Sequence, residues 1–195
     1  MSYEEQPIGA FLDAVASERV VPAGGTSAAV VGATGAALCE MVCIHTLAKS
    51  ERSGEGSALA SAGEELAALR RQLLTLADRD ADAVEALLSA DDGERATAAK
   101  RATGVPLSTA EACLAVVESA AVVAAEGTPN AVPDAGTGVF LAHAALRAST
   151  FTVRCNLDAI DDPSVVDRMR RRATELEADA DRAVDEAMAA VRDAS

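Results

Sequence analysis

Apolar residues recur at three- and four-residue intervals in almost every segment of this chain, and no convincing run alternates with period two. Such a pattern specifies helices and leaves no strands from which to build a sheet. Half of the 195 residues are hydrophobic, yet only three are Phe, one is Tyr and none is Trp. A core must therefore be filled by Ala, Val and Leu, whose small bulk lets helices sit close together. The expected fold is all-α: a multihelical bundle of six or seven helices forming one domain over residues 1–195.

The breaks between helices follow from local chemistry. "YEEQPIGAFLDAVAS" reads as a short helix with Phe11, Leu12 and Val15 turned inward. "ERVVPAGG" ends it, because Pro22 lacks an N–H and paired glycines are poor helix formers. A long helix is expected over 26–48, then a polar break, then a second long helix over 58–90. "ERATAAKRAT" reads as a short helix ending before Pro106, since the residue preceding a proline is biased away from helical backbone. Ser108 opens "STAE", a capping box leading into a helix that reaches residue 126. After the loop "GTPNAVPD", Asp134 is placed to cap a helix running to residue 156, and a last helix covers 165–192.

Charge narrows the classes of partner. Asp and Glu number 31 against 17 Lys and Arg, a formal net charge of −14, and Lys49 and Lys100 are the two lysines. That balance opposes binding to nucleic acid, which needs a basic footprint, and docking on an anionic membrane surface. It resembles the acidic, lysine-poor surface of halophilic proteins; an acidic face made for a basic partner is the alternative. Cys39, Cys43, Cys113 and Cys155 form neither a disulfide framework nor a CxxC knuckle, and the acidic start is unlike a signal peptide. Free thiols in the cytoplasm are expected.

The nearly uncharged stretch "VVPAGGTSAAVVGATGAAL" over 20–38 admits three readings. A phosphate-binding loop needs GxxxxGK[ST], and no lysine follows these glycines. A membrane span needs about 20 apolar residues, and Glu40 and His45 interrupt the run. A tightly packed core helix remains, with Gly32 and Gly35 as close-approach positions and a glycine pair near its start. There, free N–H groups favour an anionic or carbonyl ligand, although Thr26 is also an ordinary N-cap. Cys39 and Cys43 share a helical face with His45 rotated away, so no metal site is expected. His143 lies mid-helix among alanines and reads as a hydrogen-bonded core or interface residue.

"LADRDADAVEALL" places Asp78, Asp80 and Asp82 inside a long helix. A carboxylate at the apolar edge would be desolvated and suited to general acid–base work, whereas a solvated acidic face is the plain alternative.

Taken in order, these segments resemble the cyclodeaminase/cyclohydrolase family, which comprises the C-terminal domain of formiminotransferase-cyclodeaminase and stand-alone methenyltetrahydrofolate cyclohydrolases. "FLDAVAS…VVPAGGTSAAVVGATGAALCEMV" is similar to the family's opening with P-x-PGGGS-x-AA, and "LADRDADAV" to its D-x-D-A-x-A-F segment. "ATGVPLSTAEACL" resembles its VPL helix start, "GTPNAVPDAG" its GNPNAxSDAG, and "RASTFTVRCNL" its NVxxNL close. The resemblance implies a multihelical, dimeric, cytoplasmic enzyme of one-carbon folate metabolism, with no cofactor beyond the tetrahydrofolate substrate and no metal. It implies hydrolysis of 5,10-methenyltetrahydrofolate to 10-formyltetrahydrofolate. The alternatives are closure of 5-formiminotetrahydrofolate with loss of ammonia, or a non-catalytic helical dimer that keeps the scaffold. Hydrolysis is preferred because no transferase domain accompanies these motifs.

By position, the resemblance implies a catalytic aspartate at Asp80 or Asp78, with Asp80 preferred because it immediately precedes the Ala-x-Ala part of the motif. Asp82 reads as a surface acid. Gly24, Gly25 and Thr26 would offer N–H groups and a hydroxyl to the substrate, and Asp134 would pair with pterin N–H groups or serve as a plain cap. Asn156 matches the closing Asn, and Lys49 and Arg52 would meet the glutamate tail or act as ordinary helix-end cations. The chain departs from the pattern at Ala23, Thr128, Pro133 and Thr152, and near Ile44, where the family carries glycine, serine or amide side chains.

Overall fold

A computed structural model describes residues 2–49 and 58–194. Six α-helices follow one another: α1 Ile8–Val15, α2 Gly24–Lys49, α3 Ala58–Ser89, α4 Arg95–Glu126, α5 Val132–Asn156 and α6 Pro163–Ala194. Short 3-10 turns, Tyr3–Glu5 and Leu157–Ala159, precede α1 and follow α5. The all-α expectation holds.

Two antiparallel contacts organise the bundle around α2. Along α3, Asp80 lies beside Gly25, Leu73 beside Gly32, and Arg70 pairs with Glu40 at 2.7 Å. Along α5, Ala145 lies beside Gly32 and Gly138 beside Gly35, and the Cys39 thiol donates to the Ala135 carbonyl. The N-terminal end of α2 therefore sits among the C-terminal parts of α3 and α5. The small residues make this possible. A Cβ on Gly35 would lie 2.7 Å from the Gly138 carbonyl oxygen, and one on Gly138 the same distance from the Gly35 oxygen. The two backbones touch, as helices can only where side chains vanish.

α2 and α4 are each long and apolar enough to cross a membrane, but about half of each apolar window, 50% and 56%, is buried within the bundle. Glu40, which interrupts the apolar run of α2, is held by Arg70 of α3. The stretch over 20–38 is a packed core helix preceded by a turn. Leu66, Leu73, Leu146 and Leu176 are fully buried in the core, each stabilising the fold by about 1.5–3 kcal/mol.

Four local expectations are corrected. Residues 95–126 form one continuous helix, with Pro106 buried inside it, so neither the break before Pro106 nor the capping box at Ser108 exists. Proline removes the donor that would serve the carbonyl four residues back, here Ala102. The side-chain amide of Asn156 donates to that carbonyl at 3.0 Å, so the gap in the helix ladder is closed from α5. Asp134 lies in the first turn of α5, exposed, and not at its N-cap, which is Ala131. Thr26 is the third residue of α2 and not its cap. Finally, only Phe11 of α1 turns inward, its ring meeting Tyr3 edge-on at 5.6 Å, while Leu12 is 56% exposed and Val15 is exposed too. A two-turn helix lying at the rim has room to bury only one large side chain.

Candidate active site

The first turn of α2 begins without a useful cap. The Ser27 N–H bonds to the Ala23 carbonyl at 2.9 Å, which makes Ala23 the capping residue, and alanine has no side-chain oxygen to offer the free N–H groups. Asp80 supplies one from α3. Its Oδ2 accepts the Thr26 hydroxyl at 2.8 Å, and the Thr26 backbone N–H bears on the same carboxylate. Asp80 is only 5% exposed and Thr26 is fully buried.

The two glycines have different tasks. A Cβ on Gly25 would lie 2.3 Å from Asp80 Oδ1 and 2.7 Å from its Cγ, so this position must lack a side chain for the carboxylate to reach the turn. Nothing lies within 4 Å of where a Gly24 Cβ would stand, so that side of the turn is open to an approaching ligand. Burial pushes the Asp80 carboxyl above its ordinary value, and the two Thr26 hydrogen bonds pull it partly back. The result is a carboxylate that is basic for its type yet held in one orientation.

Asp78 and Asp80 are two residues apart on one helix and so point about 200° apart. Asp78 faces the N-terminal segment: the Tyr3 N–H donates to its Oδ1 and the Ser2 hydroxyl to its Oδ2, each at 2.7 Å. Asp82 is exposed, as expected. Asp78 and Asp82 line, with Tyr3, Arg19, Pro22 and Glu85, a groove of about 1320 Å³ between α1 and α3. Asp80 is absent from that lining, because its side chain turns towards α2 instead. The groove ends at Pro22, two residues before Gly24, and Val21–Pro22 is a cis peptide. Burial and the neighbouring Asp78, Glu85, Asp80 and Asp82 raise the Tyr3 phenol above its ordinary value.

The remaining candidates separate along the bundle. Asn156 lies at the same end as Asp80, but its amide is engaged with the Ala102 carbonyl. Lys49 is exposed at the opposite end of α2, roughly 35 Å from Thr26 at 1.5 Å per residue. Asp134, one residue from the Ala135 carbonyl that meets Cys39, is also well away from the Asp80 end. Within one chain, then, Gly24, Gly25, Thr26 and Asp80 come together, Asp78 faces the adjoining groove, and Lys49 and Asp134 do not join them. Arg52 lies outside the described residues. Of the thiols, Cys39 and Cys113 are buried and pushed up to about 12, and Cys43 to about 11, all by burial. The His143 ring Nε2 and the Asp181 carboxylate of α6 share a 2.9 Å hydrogen bond, which the carboxylate accepts. Among the described residues no three His, Cys, Asp or Glu side chains cluster as a metal site would. Ser2 and Tyr3 were not foreseen as neighbours of Asp78, since nothing in "MSYEE" marks a segment that folds onto a helix 75 residues away.

A sequence profile for formiminotransferase-cyclodeaminase matches residues 7–175. The chain is 35% identical over 185 residues to a methenyltetrahydrofolate cyclohydrolase of Methylorubrum extorquens, covering 88% of each sequence. Its fold matches the crystal structure of a formiminotetrahydrofolate cyclodeaminase from Thermotoga maritima with a TM-score of 0.88, at 26% identity and 97% coverage of each chain. Matched over most of its length in sequence and nearly all of it in fold, the chain belongs to the formiminotransferase-cyclodeaminase family.

Proposed function

We propose that this chain hydrolyses 5,10-methenyltetrahydrofolate to 10-formyltetrahydrofolate, with Asp80 as the group that moves the proton. The observation that carries the reading is the buried Asp80 carboxylate, set against Gly25 and bonded by Thr26 at the open first turn of α2. In the reaction, water adds to the cationic carbon between N5 and N10 while Asp80 accepts one of its protons. The tetrahedral intermediate then loses its C–N5 bond. The proton held by Asp80 goes to N5, the remaining hydroxyl proton leaves to solvent, and the formyl group stays on N10. Methenyltetrahydrofolate cation plus water thus gives 10-formyltetrahydrofolate and one proton. The substrate carbon is already electrophilic, so the proposed route uses no cofactor besides the folate. A carboxylate made more basic by burial suits both transfers.

The groove along α3 suits the pterin, whose ring edge presents several N–H donors to Asp78 and Asp82. A second reading, cyclisation of 5-formiminotetrahydrofolate with loss of ammonia, draws on the activity named for the Thermotoga relative. It passes through the same kind of tetrahedral carbon, with an amine as leaving group.

The proposed assembly is a cytoplasmic homodimer with an acidic, salt-tolerant surface. Its support is on two neighbouring helices: α2 exposes Val31 and Ile44, and α5 exposes Phe140 and Phe151, the latter 67% exposed. Loss of the near-ultraviolet absorbance of methenyltetrahydrofolate tests the activity. Acceleration by the wild-type chain, lost in Asp80→Asn, supports hydrolysis. Formation of that absorbance from formiminotetrahydrofolate alone supports the second reading, and neither change points to the non-catalytic scaffold. Light scattering tests the dimer, which Phe140→Asp is expected to split.

A further inference from the structure

The buried hydroxyl of Thr26 has a partner already, and that partner is not a substrate. It donates to Asp80 Oδ2 at 2.8 Å from a residue with no exposed surface. An aspartate has two side-chain torsions, and two restraints define this one. The Gly25 backbone closes one side, where even a methyl group would stand 2.3 Å from Oδ1, and the Thr26 hydroxyl fixes the other oxygen.

We propose that Thr26 is a positioning residue for proton transfer, its hydroxyl locking the rotamer in which Asp80 meets the reacting water. This rests on the reading of Asp80 as the proton-transfer group. It reassigns Thr26 from a direct ligand of the folate to a support one step behind the chemistry. The backbone N–H of Thr26 bears on the same carboxylate, so the residue also completes the first turn of α2. A role limited to that turn would be kept by any side chain of the same shape, and this is what separates the two ideas. Near the reacting atoms, a carboxylate displaced by about 1 Å loses on the order of 100-fold in rate.

Two substitutions separate the hydroxyl from the bulk. Thr26→Val keeps the shape and removes the hydroxyl, whereas Thr26→Ser keeps the hydroxyl and removes a methyl. With methenyltetrahydrofolate as substrate, Thr26→Val is expected to lower kcat about 100-fold with KM nearly unchanged, and Thr26→Ser to retain most of kcat. The reverse order, Val active and Ser impaired, would show that packing alone matters and overturn the proposal. If Thr26→Val does not fold, Thr26→Ala replaces it, its methyl group having no donor to offer Asp80; full kcat there overturns the proposal equally. Asp80→Asn is measured alongside. Should it be inactive while Thr26→Val is not, the Thr26 role falls and the Asp80 role stands. Should Asp80→Asn keep full activity, or the wild-type chain act on neither folate, both fall together.

Discussion

Pro106 in the middle of α4 sets up a stability experiment that also decides what Asn156 does. Its missing N–H leaves the Ala102 carbonyl without a helical partner, and the Asn156 amide fills that vacancy at 3.0 Å. Replacing Asn156 by Ala strands a partly buried carbonyl, at a cost of about 1–3 kcal/mol. For a chain of this length, about 2 kcal/mol lowers Tm by roughly 4–8 °C. The informative step is to repeat the substitution in a Pro106→Ala background. There residue 106 regains its N–H and serves Ala102 itself, so the loss of Asn156 should cost only about 0.5 kcal/mol. The cycle therefore predicts a coupling of about 1–2 kcal/mol, whatever the sign of Pro106→Ala alone. Urea unfolding followed by circular dichroism at 222 nm, with the slopes compared across all four proteins, gives the numbers. Additive effects would refute the carbonyl-rescue argument. A raised KM for the folate in Asn156→Ala, with unchanged stability in both backgrounds, would return Asn156 to the substrate.

Further expectations follow from single contacts. Gly25→Ala places a methyl group against Asp80; it should forfeit hydrogen bonds to a charged group worth about 2–4 kcal/mol and most of the activity. Gly24→Ala meets only open space and should raise stability by up to about 1 kcal/mol in thermal melts; equal melting temperatures for the two variants would contradict the division of labour between the glycines. Glu177 is held at about 2, chiefly by the hydrogen bond from Arg154, against an ordinary 4.5. Because its folded value is depressed, its contribution is complete above about 4.5 and is lost as pH falls towards 2. The stability difference between wild type and Glu177→Gln should therefore shrink over that acid range, and a difference that stays constant from pH 6 to 2 would count against the pairing.

What could be read along the chain was whatever depends on neighbours in sequence. Helical periodicity and the close-packing glycines of α2 are local properties, and each appears in the fold as expected, while the polar break after α2 lies outside the described residues. The failures share a cause. The rule that a helix stops before proline concerns the chain around Pro106 and knows nothing of an asparagine 50 residues further on. Leu12 and Val15 carry an inward-facing pattern, but whether a neighbour is present to cover them depends on where α1 docks. Thr26 and Asp134 have good capping side chains, yet where each helix starts depends on backbone already set by the preceding turn.

The candidate site divides in the same way. From residue order alone came the family, its chemistry and the preference for Asp80, because a motif is a statement about adjacent residues. Order cannot say which end of an antiparallel bundle a motif occupies, and Lys49 and Asp134 lie far from the Asp80 end. Nor can it distinguish Asp78 from Asp80 by surroundings, although one holds the N-terminal segment and the other the start of α2. The packing of α3 against α2 sets those surroundings. It required a glycine thin enough to admit the Asp80 carboxylate, and a buried hydroxyl to hold it there once water had been excluded.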